Sequence, residues 1–368
     1  MPFSRPRILH VISSLHTYGA QRLVASLIDG MRDDFQIAVM TMYSGSSSGA
    51  SNGAGPEILD VRRRRGLRDL SFFARMVGMM REWQPAIVHT HMHNGKYWGR
   101  LAAITAGVRG IVHTEHNSDF RAWLPVQACN RALHSRTARI VAFSQDHASR
   151  IARAEGVSPE KLAVIPNGIP RVASRLSREA SRRALGVHPG RKAFLHVGRF
   201  EAVKNQMLAV EAFASSPYLR RSAQLFFAGD GMDEPLVRER VVSLGLGDAI
   251  RFLGFRDDVR DLLAGADALL MTSRNEAMPL AAIEAMMAGV PIATVPWDGS
   301  VPFFRDGALA KISSSYAPHD LALAVEALVA NETATAEQAQ AATQTALGEY
   351  TLEVCADRHA ALYRSLLA

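Results

Sequence analysis

The chain is 368 residues long, 48% hydrophobic and 21% charged, an ordinary soluble composition with length enough for two domains. Its apolar runs are too short to cross a bilayer, its N-terminus lacks a signal-peptide plan, and two cysteines exclude a disulfide framework or a cysteine metal site, so a cytoplasmic protein is expected. The net charge of +7 divides unevenly, +11 up to Arg175 and −4 beyond it, which favours an anionic lipid surface over nucleic acid because no aromatic-interleaved platform accompanies the arginines.

In chain order, RILHVI (7–12), QIAVMTM (36–42), AIVHTH (86–91), GIVHTE (110–115) and RIVAFS (139–144) read as strands, and helices are expected at 20–31, 69–83, 96–106 and 145–155. Strands alternating with helices imply parallel pairing with right-handed crossovers. Residues 44–55 are a Gly/Ser-rich loop. The densest basic cluster, Arg62-Arg63-Arg64-Arg65 with Arg68 close by, reads equally as a solvated face or as a contact for anionic lipid. Behind it, Leu70, Phe73, Met76, Val77 and Met80 recur at helical spacing, a pattern more often core than membrane contact.

The first series ends near Ile165-Pro166-Asn167-Gly168, and the polar, Arg-rich stretch 170–190 reads as a link. A second α/β series follows, with strands KAFLHVG (192–198), QLFFAGD (224–230), AIRFLGF (249–255), ALLMTS (268–273) and PIATV (291–295). Helices are expected near 204–215, 233–245, 256–265 and 279–288, then along 318–331 and 333–366. Two doubly wound domains in tandem with a cleft between them is the architecture this order implies.

The richest stretch is Ser273 to Pro291, SRNEAMPLAAIEAMMAGVP. Pro279 suits the first turn of a helix, and Gly289 followed by Pro291 suits its end, so Glu276 lies in the loop ahead and Glu284 one to two turns inside. A helix N-terminus at the carboxyl end of a sheet is where anions and cofactors bind in α/β proteins. Gly198-Arg199 follows a strand, with Lys204 five residues on; a forked guanidinium and a mobile ammonium can together hold a diphosphate. Gly229-Asp230-Gly231 is a glycine turn after a strand, either a tight turn or a place of close ligand approach. Gly19 opens the first helix, but G-x-G-x-x-G is absent, which weighs against a dehydrogenase. His89, His91, His93, His113 and His116 cluster in the first half; polar residues on a cleft-facing strand end are favoured over a metal site, and His116 stands apart just past a strand end.

These pieces, in this order, resemble the family-4 retaining glycosyltransferases of the GT-B fold. The matching segments are YGAQRLV (18–24), IVHTEHN (111–117), VIPNGI (164–169), HVGRFEAVKNQ (196–206), FAGDGM (227–232), FLGFRDDV (252–259) and NEAMPLAAIEAMMAGVPI (275–292). The resemblance implies an α/β GT-B protein, two Rossmann-like domains facing across a cleft. An acceptor-binding domain would span 1–170 and a nucleotide-sugar domain 171–350, with a C-terminal helix, 351–368, returning to the first. It further implies that Arg199 and Lys204 neutralise the diphosphate of a UDP- or GDP-sugar, beside Gly198, Gly229 and Gly231 and the helix start at Ala277, Met278, Pro279 and Leu280. Glu276 would hold hydroxyls of the donor sugar and Glu284 the ribose hydroxyls, with Gly254-Phe255 beside the base. From the first domain Gly19 would close on the diphosphate and His116 would reach the donor sugar. No metal enters this scheme, and the acceptor would be a sugar or lipid-linked sugar at the inner face of the cell membrane, in cell-surface polysaccharide or glycolipid synthesis.

Three departures accompany the match. Tyr18-Gly19-Ala20-Gln21 stands where the family often has G-G-A-E, Ala277 stands where a glycine commonly follows the first glutamate, and Phe303, in DGSVPFFRDG (298–307), stands near an expected acid. The alternatives are a nucleotide-sugar epimerase of related fold and a catalytically silent glycosyltransferase-like binding protein.

Overall fold

The computed structural model describes residues 5–14, 19–43, 56–63, 69, 71–117, 124–171 and 173–368. The Gly/Ser-rich loop 44–55, His16 to Tyr18, Arg64, Arg65, Arg68 and Leu70 lie outside the described residues. The chain forms two units, one from residues 1–170 and 349–368, the other from 171–348.

The first unit is built on seven parallel strands: β1 (Arg7–Ile12), β2 (Gln36–Thr41), β3 (Glu57–Asp60), β4 (Ile87–His91), β5 (Gly110–Thr114), β6 (Arg139–Ala142) and β7 (Leu162–Val164). Their order is β3-β2-β1-β4-β5-β6-β7, so the winding reverses between β1 and β4. Alternation along β1 divides the core. Ile8 and Ile12 face one side with Val24, Leu27 and Ile28. Leu9 and Val11 face the other with Phe72, Met76, Met80 and Trp83 of the helix Ser71–Trp83. Since Met76, Val77 and Met80 are sealed in this core, they are unavailable to lipid.

The expected helical run 333–366 is two helices, Glu332–Glu349 and Leu352–Leu367. The break has a stated cause. Thr351 caps the second helix through its hydroxyl, which accepts from Val354 N–H, and Ile169 N–H donates to the Tyr350 carbonyl at 3.0 Å. These bonds tie the last helix into the first unit, where Cys355, Ala356, Ala360 and Tyr363 complete the Ile8 side of the core. Gly168 makes the crossing possible, for a Cβ there would stand 2.3 Å from the Thr351 carbonyl oxygen.

The second unit holds six parallel strands: β8 (Lys192–Val197), β9 (Ala223–Ala228), β10 (Ile250–Phe252), β11 (Ala268–Met271), β12 (Ile292–Thr294) and β13 (Lys311–Ile312). Their order, β10-β9-β8-β11-β12-β13, reverses between β8 and β11. The stretch 170–190, read as a link, is built into this unit. Its helix Arg178–Leu185 packs beside Val259–Gly265. Arg175 pairs with Asp261 at 2.7 Å, and Arg178 and Arg182 grip Asp267 at 2.7 and 2.9 Å. These arginines tie the stretch to the helix Val259–Gly265 and to Asp267 just beyond it. Among the described residues no helix is long and apolar enough to cross a membrane.

Candidate functional site

In the second unit, the reversal between β8 and β11 leaves a crevice at the carboxyl ends of two adjacent strands, the usual ligand position in such sheets. The loop after β8 carries Arg199 and Lys204; the loop after β11 carries Ser273 and Glu276. These loops meet. Lys204 Nζ lies 2.6 Å from Glu276 Oε1, and the Ser273 hydroxyl donates to the same oxygen at 2.6 Å. The sequence kept Lys204 and Glu276 in separate roles, as cation and hydroxyl-holder; the structure joins them in one ion pair. Being partly exposed, the pair contributes at most about 1 kcal/mol of stability, so its weight lies in placing two charges together.

Lys204 is also fixed through its backbone. Its carbonyl accepts from the Thr272 hydroxyl at 2.8 Å. Thr272 has one proton to give, so it accepts from His196 Nε2–H at 2.9 Å. Burial, assisted by the Lys204 charge, lowers the His196 pKa to about 3, and the ring is a neutral donor at any ordinary pH. Neither Ser273, Thr272 nor His196 stood out in the sequence as a partner of these charges, though Ser273 opens the richest stretch.

Arg199 is exposed and pairs with Glu201 at 2.8 Å. Gln206 Nε2 donates to its carbonyl at 2.8 Å. The glycine turn 229–231 lies close against the backbone of the loop after β8. A Cβ at Gly229 would fall 2.1 Å from the Gly198 carbonyl oxygen, and one at Gly231 would fall 2.4 Å from that of Phe200. Here glycine lets the loops after β8 and β9 lie against one another. Gly229 N–H also donates to the Gly254 carbonyl at 2.8 Å, which sets the exposed Phe255 one residue beyond.

The helix after β11 runs Leu280–Met287, one residue shorter at each end than expected, with Pro279 as its N-cap in extended conformation (φ −78°, ψ 111°). Ala277 and Met278 form the approach, with Met278 buried. Glu284 is the fifth helical residue and half-buried. Tyr316 closes the loop from a distance, its hydroxyl donating to the Ser273 carbonyl at 3.3 Å. In the segment 298–307, Phe303 ends a short helix and packs on Phe304 and Trp297, with ring centroids 4.7 and 6.1 Å away.

In the first unit, Gly19 begins the helix Gly19–Asp29. His116 follows β5 within Glu115-His116-Asn117, a loop clamped on both flanks. Glu115 meets the Lys96 ammonium at 2.5 Å. His147 Nε2 donates to the Asn117 carbonyl at 2.9 Å. Lys96 is brought inward by a π-helical turn, Gly95–Gly99, within the helical stretch 92–106, and it also meets Glu155 at 2.5 Å. Burial opposes charge on both glutamates, but neighbouring histidine and the ammonium outweigh it, holding Glu115 well below the carboxylate range and Glu155 below its ordinary value. The same carboxylates raise Lys96 against its own desolvation. Sequence offered no sign of this network.

Of the clustered histidines, His89, His91 and His113 are buried, His116 is half-buried and His93 is exposed. His89 and His91 are 0% and 1% exposed. His89 bonds Tyr363 Oη at 2.5 Å and Thr114 Oγ1 at 2.7 Å, while His91 bonds His10 at 3.0 Å and His116 at 3.4 Å. Among the described residues His10, His89 and His91 are the one group spaced within reach of a common metal, with nitrogens within 4.8 Å of one another. Both His89 nitrogens are already engaged as described, His91 uses both of its own on His10 and His116, and His10 pairs with His91 through Nδ1 alone.

Two family models match this chain, one over each series: Glycosyltransferase Family 4 over residues 17–171 and Glycosyl transferases group 1 over residues 177–346. The Escherichia coli UDP-Gal:alpha-D-GlcNAc-diphosphoundecaprenol alpha-1,3-galactosyltransferase is 26% identical over 242 residues, 61% of each protein. The D-inositol 3-phosphate glycosyltransferase of Geodermatophilus obscurus is 30% identical over 206 residues, 52% of this chain and 45% of that one. The chain thus spans about half to three fifths of these relatives' length. In fold it is similar to Anabaena HepE, solved in complex with UDP-glucose, with a TM-score of 0.85 at 21% identity over 98% of this chain and 99% of that one.

Proposed function

The chain belongs to the family-4, group 1 glycosyltransferases of the GT-B fold, and from that membership we propose that it moves a sugar from a nucleotide-diphosphate sugar to a hydroxyl acceptor with retention of configuration. The observation that carries the reading is the cluster of Lys204, Glu276 and Ser273 at the carboxyl ends of β8 and β11, ahead of the helix Leu280–Met287. An anion and a set of hydroxyls are what this pairing of cation, carboxylate and helix start can hold.

In this reading Arg199, Lys204 and the amides opening the helix at Ala277 to Leu280 neutralise the diphosphate. Glu276 accepts hydrogen bonds from donor-sugar hydroxyls and Glu284 from the ribose. Gly254 and Phe255 flank the base, and the glycines at 198, 229 and 231 keep the surrounding loops close. Gly19 and His116 are the first unit's contributions. The bond from the sugar's anomeric carbon to the diphosphate oxygen breaks, and the acceptor oxygen bonds to that carbon on the same face. The acceptor's proton passes to an oxygen of the departing diphosphate. Catalysis then consists of stabilising the leaving charge and positioning the acceptor, with positive charge supplied by protein groups rather than a metal.

The acceptor is proposed to be a sugar or lipid-linked sugar of cell-surface polysaccharide or glycolipid synthesis, a class that the E. coli relative's name contains. Such an acceptor would bring the protein to the inner face of the cell membrane, where the exposed Arg62 is the one described arginine of the basic cluster free of aromatic packing. Arg63 lies over Phe72 at 4.3 Å instead. A mass-resolved transfer assay with UDP- and GDP-sugars against lipid-linked acceptors tests the proposal. A product heavier than the acceptor by one glycosyl unit supports it, and turnover to an epimerised donor without transfer contradicts it.

A further inference from the structure

A row of three imidazoles runs from the core of the first unit to His116. His10 Nδ1 lies 3.0 Å from His91 Nε2, and His91 Nδ1 lies 3.4 Å from His116 Nε2. The row begins on β1, crosses to the last residue of β4 and ends in the loop after β5. Its inner end is closed, because His10 is 0% exposed and its Nε2 has no hydrogen-bond partner among the described residues. Its outer end opens on a small cavity lined by His91, His116, Thr114, His359 and Cys355.

A neutral imidazole carries one proton on two nitrogens, so each ring in such a row must donate on one side and accept on the other. Only two arrangements exist. If protons point inward, His116 Nε2–H donates to His91, His91 Nε2–H donates to His10, and His10 is left with a buried N–H aimed at nothing. If protons point outward, His10 Nδ1–H donates to His91, His91 Nδ1–H donates to His116, and the orphan at His10 is a bare lone pair. Orphaned buried donors are the rarer and costlier of the two, so the outward arrangement wins. Burial lowers the pKa of His10 to about 3 and of His116 to about 4, and that of His91 well below its ordinary value, which keeps all three rings neutral near pH 7.

We propose that His10 and His91 are positioning residues that fix His116 in the tautomer protonated on Nδ1, so that His116 presents an N–H donor, and no acceptor, to its ligand. The atom that meets Nδ1 must then be an oxygen lone pair, of a hydroxyl or a phosphate. This last consequence rests on the reading of His116 as a donor-sugar contact; the tautomer itself does not. No chemistry at His10 is implied, only the direction of a proton.

The test is a long-range ¹H–¹⁵N spectrum of the full-length, ligand-free protein labelled at histidine, with His116 assigned by its loss in His116→Gln. The wild-type ring is expected to show protonated Nδ1 and unprotonated Nε2. Protonated Nε2 would overturn the proposal without recourse to any variant. His10→Asn retains a donor near the position of Nδ1 and is expected to keep the tautomer. His10→Asp, studied where its carboxylate is ionised, replaces that donor by an acceptor for His91 Nε2–H and is expected to reverse the row, leaving His116 protonated on Nε2. A His10→Asp protein that folds with an ionised carboxylate and keeps pure Nδ1–H would also overturn it. Because no sugar nucleotide is present, failure here is distinct from failure of the transferase reading, which the transfer assay addresses separately.

Discussion

Mild acid should unfold the first unit through its histidines. His10, His113 and His359 are 0%, 1% and 4% exposed, and burial, joined at His10 by the nearby His359, lowers their pKa values to about 3, about 4 and about 4. In an unfolded chain each would titrate near ~6.5. Above that pH the rings are neutral in both states and contribute nothing. Below it the unfolded chain binds protons that the folded chain refuses, so stability is lost as pH falls toward 4. Between pH 6 and 5 the linkage relation gives about 1.2 kcal/mol per histidine, or about 3.5 kcal/mol for the three. His89 and His91, lowered by burial and by their histidine neighbours, act in the same direction. The depressed carboxylates of Glu115 and Glu155 stabilise the fold above the ordinary carboxylate range and lose that contribution as pH falls through it, below this window. Urea unfolding at half-unit pH steps, with hydrogen exchange of β1, β4 and β5 to isolate this unit, measures the slope. His359→Phe should reduce the loss by about 1.2 kcal/mol, one histidine's share. A stability that changes by less than about 1 kcal/mol from pH 6 to 5 would mean that the folded protein takes up these protons as readily as the unfolded chain.

Lys96→Met leaves Glu115 and Glu155 facing each other without a cation, and should destabilise the first unit by about 3–5 kcal/mol at pH 7, read by thermal or urea denaturation. Gly168→Ala drives a methyl into the Thr351 carbonyl; a loss of about 1–3 kcal/mol and faster proteolytic release of the helix Leu352–Leu367 are expected. Lys204→Ala removes a charge from the proposed diphosphate site while leaving the fold intact. Calorimetry should show UDP or GDP bound roughly ten- to a hundredfold more weakly, following the usual ~1.5–3 kcal/mol of a charged hydrogen bond.

What the sequence disclosed follows from how far each signal reaches. Strands such as Arg7–Ile12 and Lys192–Val197 are apolar runs with punctuated ends, and they appear where expected. Glu57–Asp60, Leu162–Val164 and Lys311–Ile312 were not anticipated, because they are edge strands of two to four residues with too few side chains to show a period. The helix Leu124–Ser135 was missed for a related reason. Its polar positions outnumber its buried ones, with Asn130, Leu133 and His134 facing inward. At the candidate site the charges themselves were legible from their residue types and turns. Their pairing was not, since Lys204 and Glu276 are 72 positions apart and meet only because β8 and β11 are neighbours. His89 illustrates the same limit. A polar residue at a strand end reads as solvent-facing until a tyrosine 274 positions away is folded onto it.

The Lys204–Glu276 site of the second unit is proposed to bind the donor and to support transfer. The most direct measurement compares wild-type protein and Glu276→Ala in the mass-resolved transfer assay at saturating donor, with circular dichroism confirming that both are folded. Transfer is expected to fall at least about tenfold, the equivalent of one lost charged hydrogen bond to a donor hydroxyl. Undiminished transfer by Glu276→Ala would contradict it.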